Sequence, residues 1–191
     1  MKAIFYWGSA LVMALLLGTG SAYLALQDAQ ARGGIHSGPW ATSTRFGSPE
    51  ADMYTRARVA LFGLLALDKK ETMYFIANTD SNGEKLSGSC TYRVQGHDLA
   101  ARWWSITAYA SDSFLIPNEA HVFSFAQTTV AHDADGGFTI NVSAEKQDGN
   151  WLPVKAGEAF DLTARFYNPE ASIYADPSAA VLPTITKESC K

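Results

Sequence analysis

Four side chains near the C-terminus stand two positions apart: Asp161, Thr163, Arg165 and Tyr167. Alternate residues of an extended strand share one face, so this spacing sets a carboxylate, a hydroxyl, a guanidinium and a phenol in one row. An arginine so placed can grip a carboxylate or phosphate through paired N–H donors. The chemistry in view is capture of an anionic or hydroxylated ligand, with Arg102 or Asp112 as candidates to complete a polar pocket. An ordinary solvated strand face carries the same residue types.

A second candidate lies in Ala101-Arg102-Trp103-Trp104-Ser105-Ile106-Thr107-Ala108-Tyr109. Neighbouring Trp103 and Trp104 on a strand must point to opposite faces, so one ring is core; the other either serves as a stacking or partner-binding platform or is packed as well, under the helix or the Trp40 segment. If Trp103 is the outward ring, Ser105, Thr107 and Tyr109 share its face. Asn118, just after Pro117, could present an amide to a ligand or cap the following turn. The candidate ligand or partner face is therefore Arg102, Trp103, Tyr109, Asp112, Asn118, Arg165 and Tyr167.

Other constellations read more simply. His132-Asp133-Ala134-Asp135-Gly136-Gly137 holds hard oxygen ligands but lacks the spaced acid that closes a calcium loop, and a hairpin turn explains it. His97-Asp98 is half of a catalytic pair with no G-x-S-x-G elbow or H-E-x-x-H motif to join it. Neither a metal nor a cofactor is implied. Lysines and arginines are scattered in a chain of formal net charge -4, which leaves no basic footprint for nucleic acid.

The elements that must position these residues are mostly strands. Phe160, Leu162, Ala164 and Phe166 alternate with the polar row above; Phe138, Ile140 and Val142 alternate with Thr139, Asn141 and Ser143; Cys90, Tyr92 and Val94 alternate with Thr91, Arg93 and Gln95. Each is a strand with one dry and one wet face. Turn clusters at 80–83, 133–137 and 147–150 separate them. The expected fold is mainly β, an antiparallel sandwich or jelly roll. One exported helix, 52–67, starts at the N-cap candidate Asp52, and its apolar run Val59–Leu67 predicts burial beneath a sheet.

Residues Ala3 to Gln27 carry no charge, and a membrane-spanning helix needs roughly 20 such residues. Residues 1–27 are expected to be a transmembrane signal anchor; Gly-Thr-Gly-Ser-Ala at 18–22 also resembles a signal-peptide cleavage region. Residues 28–39 read as a linker and 40–191 as one folded domain, with Trp40 and Phe46 lying across its body. Cys90 and Cys190 form no C-x-x-C pair. In an oxidising compartment they could close a loop of about 100 residues, worth on the order of 4–5 kcal/mol; the alternative is two unrelated thiols.

The tryptophan-rich block, Phe114-Leu115-Ile116-Pro117-Asn118, Tyr54-Thr55-Arg56-Ala57-Arg58, Asn150-Trp151-Leu152-Pro153 and Leu162-Thr163-Ala164-Arg165-Phe166-Tyr167 occur together and in order. In these the chain resembles the bacterial domain-of-unknown-function family 1214 over roughly Trp40 to Cys190. The resemblance implies a β-sandwich of the bacterial envelope with no established reaction. In longer relatives such a domain follows a 1254-family domain, which this sequence does not show, so a separate protein could supply it. The expectation is a single-pass inner-membrane protein, N-terminus cytoplasmic and C-terminal domain periplasmic, that binds or assembles an envelope protein or saccharide without catalysis. The rival expectation is an envelope hydrolase built on Arg102, Asp112, Arg165 and Tyr167.

Overall fold

The computed structural model describes residues 2–32, 34–49, 51–61 and 67–191. The chain begins with α1 (Lys2–Arg32), which contains a segment, Tyr6–Ala25, long and apolar enough to cross a membrane or to act as a signal sequence. Gln27 to Arg32 prolong the helix because Gln, Ala and Arg are good helix formers. The expected linker 28–39 is therefore divided between the end of α1 and β1 (Ile35–Ser37), which pairs with β2 (Trp40–Thr42). Trp40 does more than lie across the body: it is fully buried and its indole donates to the Pro183 carbonyl at 2.8 Å.

Eight further strands follow: β3 (Thr72–Ala77), β4 (Cys90–Gly96), β5 (Ala101–Ala110), β6 (Ser124–Ala126), β7 (Phe138–Ser143), β8 (Asn150–Pro153), β9 (Phe160–Pro169) and β10 (Thr184–Cys190). They make a six-stranded sheet in the order β1-β2-β3-β9-β5-β6 and a four-stranded sheet in the order β10-β4-β7-β8. Pairing is antiparallel except for β7 with β8, which run parallel. Only residues 144–149 connect them. A parallel return normally needs a long crossover, but β8 overlaps β7 by four residues. At roughly 3.3 Å per residue that return is short enough for the connecting segment to span.

The dry faces of the two sheets meet in one core. Met73, Phe75, Trp104, Ile106, Leu162, Ala164 and Phe166 come from the larger sheet; Tyr92, Val94, Phe138, Ile140, Val142, Leu152 and Ile185 come from the smaller. Trp104 stacks on Phe138 with centroids 4.9 Å apart, and Tyr92 meets Phe160 edge-on at 5.8 Å. These ring pairs tie sheet to sheet. Cys90 and Cys190 sit opposite each other in the β4–β10 ladder and form a disulfide, so the C-terminal strand is covalently fixed to its neighbour.

The helix expected over 52–67 forms as α2 (Met53–Leu61). The Asp52 carboxylate accepts from the backbone N–H of Tyr54 and of Thr55, each at 2.9 Å, which is N-capping as expected. These bonds hold the Asp52 carboxyl below its ordinary pKa. Burial under a sheet is not seen in the described part of the apolar run: Val59 is half-buried, but Ala60 and Leu61 are exposed. The element α2 lies against is α1. Residues 62–66, the middle of that run, lie outside the described residues.

Candidate functional site

The outer face of the six-stranded sheet takes one residue in two from each strand, and the register decides which of them meet. Thr72, Tyr167 and Trp103 form one row across β3, β9 and β5; Tyr74, Arg165 and Ser105 form the next; Ile76, Thr163 and Thr107 the third; Asp161 and Tyr109 the fourth. Trp103 and Tyr167 are thus nearest neighbours, and their rings meet edge to face at 5.2 Å. The question left open by the tryptophan pair is answered: Trp104 is wholly in the core, its indole donating to Asp98 at 3.1 Å, and Trp103 is the half-buried outward ring.

Arg165 is the centre of this face. Its guanidinium leans along the strand toward the Asp161–Tyr109 row, donates to the Thr107 hydroxyl at 2.9 Å and donates to the Tyr109 hydroxyl in a short bond. The same group lies over the Tyr74 and Tyr109 rings, 5.8 and 5.2 Å from their centroids. All of these partners are neutral. Asp161, four residues away on the same strand, interacts with its charge but forms no ion pair with it among the described residues. Arg165 is partly buried with neutral groups at its hydrogen bonds and ring contacts, and Asp161 is close enough to feel its charge; an incoming carboxylate or phosphate that paired with the guanidinium would be stabilised there.

The surroundings bear on that pairing. Beneath the guanidinium, Ser105, Thr107 and Thr163 are nearly inaccessible, as are Thr72 and Tyr74 beside them. The Thr72 hydroxyl is buried with no partner among the described atoms, an unspent hydrogen-bonding group on the same face. Burial pushes the Asp161 carboxyl up to about 6, with Arg165 acting in the opposite sense. Burial, and after it the neighbouring Tyr167, raises the Tyr74 phenol above its ordinary value. The arrangement is a floor of hydroxyls under a layer of aromatic rings, one cation and one easily protonated acid.

Not every sequence candidate belongs here. Arg165, Tyr167, Trp103 and Tyr109 are brought together. Arg102 is exposed and has the parity of Trp104, so it issues from the opposite side of β5 near that strand's start. Asp112 is exposed in the turn beyond the other end of β5, where it accepts from the Phe114 N–H at 3.0 Å. Asn118 is occupied within its own loop, donating to the Ile116 and Val122 carbonyls and accepting from the Val122 N–H. The four groups of the hydrolase expectation therefore do not converge. Tyr74 and the orphan Thr72 hydroxyl were missed. Both are in a strand whose alternation is legible, but nothing in the sequence says that β3 lies beside β9.

The remaining constellations resolve locally. Residues 133–137 form a tight turn in which Asp133 N–H donates to the Gly137 carbonyl at 2.7 Å and Gly136 takes a positive φ of 81°. Asp98 engages His132 at 3.3 Å, besides the Trp104 indole, and so helps satisfy a buried donor. Among the described residues, no three His, Cys, Asp or Glu side chains gather in a way that could hold a metal.

Comparison with known proteins places the fold. The structure is similar to the crystal structure of the VPA0106 protein from Vibrio parahaemolyticus, with a TM-score of 0.65 and 24% identity over 90% of this chain. It is also matched to a putative uncharacterized protein from Burkholderia cenocepacia, with a TM-score of 0.46 and 18% identity over 93% of this chain. The chain spans 44% of the first protein and 52% of the second. No curated protein matches the sequence. A family model described as "Protein of unknown function (DUF1214)" matches residues 71–171, from the start of β3 through β9 and with it most of the Arg165 face, and the chain belongs to that family.

Proposed function

We propose that this protein is a non-enzymatic binding module of the bacterial envelope, and that the outer face of its six-stranded sheet holds an acidic saccharide. In this reading α1 is a signal anchor, the N-terminus is cytoplasmic and the body is periplasmic. A span of adequate length and a disulfide, which persists in oxidising compartments, support that placement. The observation that carries the ligand class is the Arg165 guanidinium, whose hydrogen bonds and ring contacts among the described residues are all to neutral groups while Asp161 interacts with it without an ion pair. A carboxylate-bearing sugar supplies an ion-pair partner to Arg165. Its hydroxyls meet the polar groups of the face, and its apolar ring face stacks on Trp103 or Tyr167.

The experiment is cross-linking in intact cells, followed by detergent extraction through a C-terminal tag and mass spectrometry of the adduct. An acidic glycan retained by the wild type and lost in Arg165→Ala and Trp103→Ala, with the fold intact, is the expected result. A stoichiometric envelope protein in its place, such as one carrying a 1254-family domain, would replace the saccharide by a protein partner. Recovery of neither, or recovery indifferent to both substitutions, would overturn the reading.

A further inference from the structure

Asp161 is the one acid in the row of polar side chains that β9 turns outward, and it is half-buried. Burial is the largest influence on its carboxyl, with Arg165 acting in the opposite sense, and no N–H or O–H among the described residues donates to it. A carboxylate with no donors to replace its water is poorly stabilised as an anion, whereas the protonated acid gives up far less. Arg165 stays near without closing an ion pair, because its guanidinium donates to Thr107 and to Tyr109 instead.

The strand register makes the acid and the cation flank one spot. Tyr109 stands directly across from Asp161, and its hydroxyl is the group that the guanidinium reaches. The phenol therefore runs from the row of the acid to the cation, with the Thr107 hydroxyl holding the guanidinium from the row between. An anion seated on Arg165 has Asp161 as its neighbour. Ionised, Asp161 opposes that anion by Coulomb repulsion; protonated, it offers an O–H donor, and an O–H to carboxylate bond is among the stronger hydrogen bonds.

The elements around Asp161 bring no rival charge. From β3 come the Tyr74 phenol and, past the end of the strand, neutral Asn78; from β5 comes the Tyr109 phenol. Asp112, in the turn after β5, accepts from the Phe114 N–H. Glu158, three residues before Asp161, pairs with Lys155 at 2.6 Å. Among the described residues, Arg165 is the charge that acts on the Asp161 carboxyl.

We propose that Asp161 gates the Arg165 face: as a carboxylate it turns anionic ligands away, and as a carboxylic acid it admits and hydrogen-bonds them, so the site fills more readily in mildly acidic surroundings than near neutrality. The gate rests on the reading of this face as a site for acidic saccharides. The test is titration calorimetry on the full chain in detergent, at about pH 5 and about pH 7.5, a range that brackets the Asp161 titration. The probe is trigalacturonate, whose carboxylates stay ionised at both.

Wild type should bind about tenfold more tightly at the lower pH. Asp161→Asn, which keeps the shape of the protonated acid without its charge, should bind at that tighter level at both. Wild-type binding that is equal at the two pH values yet lost in Arg165→Ala would overturn the gate and leave the site standing, as would a pH dependence that persists undiminished in Asp161→Asn. Binding by none of the proteins, or binding indifferent to Arg165→Ala, would overturn the site reading and the gate with it.

Discussion

The two sheets of the sandwich each turn one face away from the core, and the two outward faces differ in how they treat an arginine. On the four-stranded sheet, Arg93 pairs with Glu188 at 3.4 Å, both side chains about two-fifths exposed, and Gln95 meets Thr139 at 3.5 Å. Charge is balanced and water is at hand. On the six-stranded sheet, Arg165 is held by a threonine, a tyrosine hydroxyl and two rings, over a buried polar floor, with Asp161 on the same strand feeling its charge but not in an ion pair with it. Alternating apolar and polar residues produce both faces. What separates the two is how the charge is met: the first face closes its arginine in an ion pair with a carboxylate, and the second holds its arginine on hydroxyls and ring faces.

The largest break in this comparison should come from the covalent tie on the smaller sheet. Cys90→Ser with Cys190→Ser removes a cross-link that closes a loop of 100 residues. The loss expected in chemical unfolding is about 4–5 kcal/mol. The first loosening should be in β10 by hydrogen exchange, since its ladder to β4 ends at that bond, with the Arg165 face unchanged.

Next in size is the tryptophan pair. Trp104→Ala opens a cavity against Phe138 and orphans part of the Asp98 cluster, and should cost about 3–5 kcal/mol. Trp103→Ala removes a half-exposed ring and should cost about 1 kcal/mol or less, yet it should be the more harmful of the two to ligand retention by variants that remain folded. Equal stability losses would contradict the placement of the two rings.

Asp161 gives the comparison a pH axis. Its folded carboxyl titrates near 6, above the ordinary carboxylate value, so between about pH 4 and 6 the folded chain keeps a proton that the unfolded chain has released. The contribution of this group to stability is therefore full at low pH and is lost as pH rises through 6. Asp161→Asn should flatten that part of the profile and stabilise the protein at pH 7.5 by about 1–2 kcal/mol, allowing for solvent screening at a partly exposed group. Unfolding curves between pH 4 and 8 measure it. The smallest effect expected is that of Arg93→Ala on the other sheet, about 0.5 kcal/mol or less.

Much of this is legible in the sequence. The alternation of 160–167 separates the core side of β9 from its polar side, and that of β4 and β7 does the same, because a pleated strand leaves each residue only two directions. Parity also carried a warning that the candidate set ignored: Arg102 adjoins Trp103, so the two cannot share a face. What could not be read is anything that depends on which strands are neighbours. Thr107 and Tyr109 reach Arg165 across 58 and 56 residues of sequence, and the parallel run of β8 along β7 reverses the usual consequence of a short connection. The apolar run after α2 was expected to be buried from its composition alone. Its described start, Ala60 and Leu61, is exposed instead, because composition states how apolar a segment is and not which element it meets.

The most direct test of the central claim is an affinity comparison on the full-length protein with an acidic oligosaccharide and its carboxyl-reduced counterpart. Wild type and Arg93→Ala should bind the acidic form equally and prefer it to the reduced one. Arg165→Ala should lose that preference, with affinity for the acidic form falling about ten- to a hundredfold, the worth of one charge-assisted pair. Binding weakened equally by Arg93→Ala and Arg165→Ala, or an Arg165→Ala protein that still discriminates the two sugars, would contradict the claim that the Arg165 face is the site.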